Sequence, residues 1–123
     1  MRILISLVLT VATSALALSA QAQSDRLVSQ KRDLAGILGE VHYIRTICNG
    51  KSDQYWREYM RDFLELEGDI AENRSLYIKA FNRGYTYQSN QIRYCDRSAA
   101  QLEVNLANKG RKLAEAIAQN YLH

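Results

Sequence analysis

Cys48 and Cys95 are the two residues best placed by type to react with one another. An even cysteine count in an exported chain favours a structural disulfide, because export delivers thiols to an oxidising compartment. Closing the 47 residue steps from 48 to 95 contributes roughly 4 kcal/mol on the chain-entropy model. A redox dithiol would show Cys-x-x-Cys, which is missing. Zinc would need more ligands than the two histidines, His42 and His123, provide. His42 also precedes Cys48 by six residues, which puts the two on different faces of a helix. No metal and no cofactor is expected, and free thiols are the alternative should the chain stay inside the cell.

Other reactive combinations are weaker. Glu65 and Glu67, two apart, point in different directions on a helix, and Glu40 and Glu58 would meet only through tertiary packing. At 24% charged residues, ordinary solvated acids account for them. No Ser-His-Asp arrangement is readable, and His42 reads as a core-edge residue facing Tyr or Glu partners. Gly36-x-x-Gly39 lies within a helical pattern and lacks the lysine-threonine ending of a phosphate loop. The Asn73-Arg74-Ser75 sequon reads as a chance match.

Aromatics and arginines form the richer pattern. Of 8 tyrosines, seven lie between Tyr43 and Tyr94. Trp56, Tyr59, Tyr77 and Tyr85 carry apolar rings suited to an interface or a sugar-stacking groove, three with a hydroxyl and one with an indole N–H. Arg57 and Arg61 share a face one turn apart. Asn82-Arg83-Gly84-Tyr85 sets an amide, a permanent cation, a flexible step and a ring within four residues. Either the helix ends there with Gly84 as its cap, or the backbone is shaped to present Arg83 and Tyr85 to a partner. The competing reading places the rings in a thin core and the arginines in solvent.

The elements that must position these residues are helical. Proline is absent from all 123 residues, where a fold of many short strands would use some at turns and edges. Leu27, Leu34, Ile37, Leu38, Val41, Ile44 and Cys48 recur at threes and fours from about Asp25 to Ile47. Gly36 and Gly39 interrupt this stripe, for close approach by a neighbour or for a kink, and Asn49-Gly50 stops it. A second helix, capped by Ser52 or Asp53, carries Trp56, Met60, Phe63, Leu64 and Ile70, with a weak break around Gly68. A third carries Leu76, Tyr77, Ala80, Phe81, Tyr85 and Ile92, with a kink or end at Arg83-Gly84. The fourth starts near Asp96 or Ser98 and runs through Ala99, Leu102, Leu106, Leu113, Ala114, Ile117 and Tyr121. The expected architecture is all-α, a small bundle of three to four helices.

The first 22 residues read as a signal peptide: Arg2, an uncharged run from Ile3 to Leu18, then Ala20-Gln21-Ala22 as a small-x-small cleavage site. Sixteen residues span roughly 24 Å as a helix, short of the ~30 Å hydrocarbon core, so a retained anchor fits less well. No cysteine for lipidation lies near the site. Cleavage leaves 23–123 as one helical domain and, with Arg2 gone, lowers the net charge from +3 to +2. That is too little to mark a nucleic-acid binder, so none is expected, nor a stable membrane anchor after cleavage.

Cys48, Trp56, Met60, Phe81-Asn82-Arg83-Gly84-Tyr85, Tyr94-Cys95 and the Gly110-containing last helix together resemble a domain-of-unknown-function family of small exported alphaproteobacterial proteins. The resemblance spans about Leu34 to Leu122. It implies a periplasmic location and a single domain, supports the disulfide, and implies no activity. The expected function is a non-enzymatic interaction or accessory protein of the cell envelope, with an unknown periplasmic or envelope protein as partner. A deep groove lined by Trp56, Tyr59, Tyr77 and Tyr85 would favour instead a binder of cell-wall polymer or a small ligand. A buried acid with a raised pKa beside a cleft would favour a peptidoglycan-active enzyme. Mass spectrometry of the exported protein should show Gln23 as its first residue; an intact Met1 in the membrane fraction would overturn this reading of the leader.

Overall fold

The computed structural model describes residues 2–68 and 70–122, with side chains from Ala15 onward. Met1, Asp69 and His123 lie outside the described residues, as do the side chains of most of the apolar run from Ile3 to Leu18. Four helices form: α1 (Arg2–Asn49), α2 (Tyr55–Glu67), α3 (Ala71–Gln91) and α4 (Arg97–Ala118), followed by a 3-10 turn over Gln119–Tyr121. There is no strand among the described residues, and the fold is the all-α bundle that the spacing predicts. None of the described helices is long and apolar enough to cross a membrane.

The helix ends follow local chemistry. Gly50, at φ 101°, takes the left-handed conformation that stops α1, and its N–H bonds the Thr46 carbonyl at 2.9 Å. Asp53 does not cap α2 as the N-cap residue, a position held by Gln54, but its Oδ1 accepts the Tyr55 N–H at 3.1 Å. Gly68 ends α2 where the weak break was expected. Asp96 caps α4, accepting the Ala99 N–H at 2.7 Å. Ile70, assigned to the apolar face of the second helix, is instead the exposed, extended residue preceding α3.

α1 is longer than its apolar stripe requires. It starts at Arg2 rather than near Asp25, and residues 15–26 are exposed along their whole run. From Leu34 to Ile44 it is buried on nearly every side, with Val41 and Ile44 fully covered. One apolar stripe would cover one face; here α2, α3 and α4 all pack on this segment, while α2 and α3 meet only marginally. Each of its large aliphatic side chains buried this way contributes about 1.5–3 kcal/mol.

α1 and α3 touch through their backbones. A Cβ added to Gly39 would stand 1.9 Å from the Phe81 carbonyl oxygen, and one on Gly84 would stand 2.0 Å from that of Gly36. This corrects the reading of Gly84 as a helix end. α3 runs through to Gln91, and Gly84 is buried against α1. The glycine costs α3 about 1 kcal/mol in propensity and in return lets the two helices approach more closely than any side chain allows.

The Cys48–Cys95 disulfide ties the end of α1 to the α3–α4 connection, with Cα atoms 5.0 Å apart. Beside it the Tyr43 hydroxyl donates to the Ile92 carbonyl.

These contacts separate the glycines. Gly84→Ala forces methyl into backbone and should destabilise by about 2 kcal/mol or more. Gly36→Ala, whose added Cβ has no neighbour closer than 3.8 Å, should be neutral or stabilise by up to about 1 kcal/mol. Urea unfolding of both variants checks the contrast.

Candidate functional site

The crossing of α1 and α3 decides where the Asn82-Arg83-Gly84-Tyr85 run points. Successive residues turn by about 100° on a helix, so the four cannot share a face. Asn82 lines a cavity of about 520 Å³ between α2 and α3, beside Arg57 and Arg61. Arg83 is exposed and lines a different cleft, between α1, α3 and α4. Tyr85 lies 37% exposed with its ring edge-on to Tyr43 at 5.3 Å and 5.7 Å from the His42 ring. The run is therefore no single contact surface.

The four aromatic candidates also separate. Tyr77 is fully buried, its ring against Phe63 at 5.7 Å, and it is a core residue rather than a ligand contact. Trp56 and Tyr59 stay together on α2, with ring centroids 5.9 Å apart and Tyr55 packed edge-on to Trp56 at 4.8 Å. A groove lined jointly by Trp56, Tyr59, Tyr77 and Tyr85 does not form.

What forms instead is an apolar groove between α2 and α4. Leu34, Ile37, Leu38 and Val41 of α1 make its floor, and Tyr55, Trp56 and Tyr59 make the α2 wall. Ala107, Gly110, Ala114 and Ala118 of α4, at helical spacing, make a wall of small residues. This part encloses about 520 Å³, and a continuation of about 350 Å³ runs past Tyr59, Leu66 and Ile117 to Tyr121.

Polar bonds pin the groove at both ends. At one, Trp56 Nε1 donates to Glu103 Oε1 at 3.1 Å, and Arg45 bonds Asp53 at 2.9 Å and approaches Glu103 at 3.6 Å. The Arg45 hydrogen bond, joined by those from Asn49 and the Tyr55 N–H, holds the Asp53 carboxyl down at about 2. At the other end, Glu67 accepts both Lys31 Nζ and the Tyr121 hydroxyl at 2.7 Å. Burial alone would lower the Lys31 pKa; the Glu67 and Tyr121 hydrogen bonds override it and raise the ammonium above its ordinary value. Neither cluster was legible beforehand, since partners such as Trp56 and Glu103 lie far apart in sequence and meet only in the fold.

His42 is buried between Phe81 and Tyr85, with an Nδ1 that meets no hydrogen-bond partner. Burial, aided by Arg57, lowers its pKa and keeps the ring neutral at pH 7. Both cysteines are consumed in the disulfide, and among the described residues no group of His, Cys, Asp and Glu is placed to hold a metal ion. Glu40 is the acid that stands out. It lines the same cleft as Arg83, and burial raises its carboxyl above the usual range, against the pull of Lys109 and a Gln88 hydrogen bond.

Bundle, disulfide and groove together define an all-α, single-disulfide protein whose clefts lie between helices. The chain belongs to the family described as "protein of unknown function (DUF2385)", whose model matches residues 25–121. No curated protein and no solved structure matches it.

The Asp53 cluster has a pH signature. Its folded pKa lies below the unfolded one, so its stabilisation is present above about pH 4 and is lost as the pH falls toward about 2. Urea midpoints should drop across that window, and Asp53→Asn should flatten the drop while lowering the midpoint at neutral pH.

Proposed function

We propose that this protein is a non-enzymatic interaction protein of the cell envelope, exported to the periplasm through its cleaved leader, and that the α2–α4 groove receives an amphipathic helix from a partner protein. The observation that carries this reading is the groove itself. A floor of branched aliphatics, one wall of rings and one of alanine and glycine suit the ridge of an incoming helix. The span between the polar clamps, from Trp56 to Glu67 along α2, measures roughly 16 Å, about three helical turns.

Two other readings each have one observation in their favour. The exposed rings of Tyr55 and Tyr59 beside Trp56 favour stacking on a cell-wall glycan. Against it, the principal cavity is lined almost wholly by apolar side chains, with Asn108, Arg111 and Glu115 as its polar ones, while sugars need many hydrogen bonds. The raised pKa of Glu40 favours a glycan hydrolase, for which Asp33 in the same cleft is the second carboxylate. Against it, Asp33 is engaged by Arg32 at 3.3 Å.

Trp56 is the one tryptophan of the chain and reports on the groove directly. Cross-linking in intact periplasm should join Tyr59 to a partner, and a helical peptide from that partner should shift Trp56 emission to the blue. Ala118→Phe, at an exposed lining position, should abolish both while leaving the melting temperature unchanged. A Trp56 response to muropeptides instead of peptides would overturn the helix reading in favour of the glycan.

A further inference from the structure

The cleft on the far side of the α1–α3 crossing has a chemistry of its own. It encloses about 490 Å³ and is bordered by three helices. The titratable groups facing it are Arg32, Asp33 and Glu40 from α1, Arg83 and Tyr87 from α3, and Lys109 from α4. Arg32 and Asp33 occupy one another at 3.3 Å, and Arg32 also bonds Ser29. Arg83 and Lys109, by contrast, have no carboxylate within ion-pair distance among the described residues. Two cations from different helices thus border one concave space: Arg83 has no acid against it, and Lys109 has only Glu40, on which it pulls from beyond ion-pair distance.

We infer that this cleft binds a small oxyanion, a sulfate, phosphate or phosphomonoester group, between Arg83 and Lys109, and that binding is coupled to uptake of one proton by Glu40. The glutamate makes no ion pair in the cleft but feels Lys109 and a Gln88 hydrogen bond, and an anion on Lys109 would compete with it and meet like charge. Its surroundings already favour the neutral form, since burial drives its carboxyl upward. The adjacent Gln88 is 4% exposed, and its Oε1 has no hydrogen-bond partner. The Gln88 hydrogen bond, donated to the carboxylate, holds the charged form against that burial. The proton comes from solvent, and no bond other than the O–H is made. Gly36 and Gly84, which line the same cleft, hold α1 and α3 close enough for the pair to meet.

Coupling fixes the sign of the pH dependence. An anion raises the Glu40 pKa further, so affinity rises as the pH falls from neutrality toward that pKa. Sulfate is the probe, because its charge is constant across this range. In amide NMR titrations at fixed ionic strength, sulfate should shift Glu40, Arg83, Gly84 and Lys109 selectively. Affinity should rise about tenfold for each unit by which the anion raises the Glu40 pKa. Arg83→Gln and Lys109→Gln, both exposed, should each weaken binding severalfold with the melting temperature unchanged. Glu40→Gln keeps the side-chain shape, should bind more tightly than wild type at about pH 7, and should lose the pH dependence. Phosphatidylglycerol vesicles separate the sources of the anion: Arg83-dependent co-sedimentation identifies a lipid headgroup, and its absence alongside sulfate binding identifies a free anion. Diffuse shifts across all basic residues, or a pH dependence that survives Glu40→Gln, would overturn the proposal.

Discussion

The contact of α1 with α3 through bare backbone is the constraint on which the other surfaces depend. Packed helices ordinarily keep side chains between their axes, about 8–10 Å apart. At Gly39 against Phe81 and at Gly84 against Gly36 there is no space even for a methyl group. A contact that tight fixes the rotation of α3 about its own axis. Tyr77 is thereby turned into the core and Tyr85 onto His42, while Asn82 and Arg83 fall on opposite shoulders of α1. Four consecutive residues that look like one motif in sequence become four separate environments.

α1 supports the other helices, and α2 and α4 lean on it rather than on each other. Their bridging bonds lie at the ends, Trp56 to Glu103 at one and Tyr121 to Glu67 at the other. Between these points α4 offers alanine and glycine where a closed bundle would carry leucine. The wall is low there, while the floor of α1, Leu34, Ile37, Leu38 and Val41, is itself buried. A domain of this size has little stability to spare, which puts weight on the disulfide. Its closure of the α1–α3 span is worth roughly 4 kcal/mol, comparable with burying two core aliphatic side chains.

The helices, their stops and the disulfide were legible because each rests on local or pairwise chemistry. Gly50 and Asp96 act within one turn of themselves, and two cysteines admit one pairing. The glycines of α1 were legible as a place of close approach, but Gly84 was read as a break because propensity was weighed without its neighbour. Tyr77 and Tyr59 are the same residue type on amphipathic helices, and spacing cannot say which one faces inward. That depends on how far each helix is surrounded, a property of the assembled bundle. Glu40 was passed over for the same reason: its distinguishing neighbours, Gln88 and Lys109, stand 48 and 69 residues away in sequence.

α1 continues upstream through the segment proposed as a leader, which bears on how the bundle would tolerate its removal. Residues 15–26 are exposed, so their removal takes no buried side chain from the core. Within that segment Gln21 Nε2 donates to Asp25 Oδ1 at 3.0 Å. Cleavage after Ala22 would remove that donor and leave Ser24 and Asp25 beside the new chain start. Serine and aspartate are the side chains best able to accept the N–H groups exposed at a helix start, and aspartate also matches the positive end of the dipole. The helix would thus begin again within three residues of the cut, nine residues before Leu34, where the buried segment opens. Lys31, whose ion pair with Glu67 closes one end of the groove, would stay inside regular helix about two turns from the new terminus. The clamp and the groove it bounds are therefore independent of the residues before Gln23.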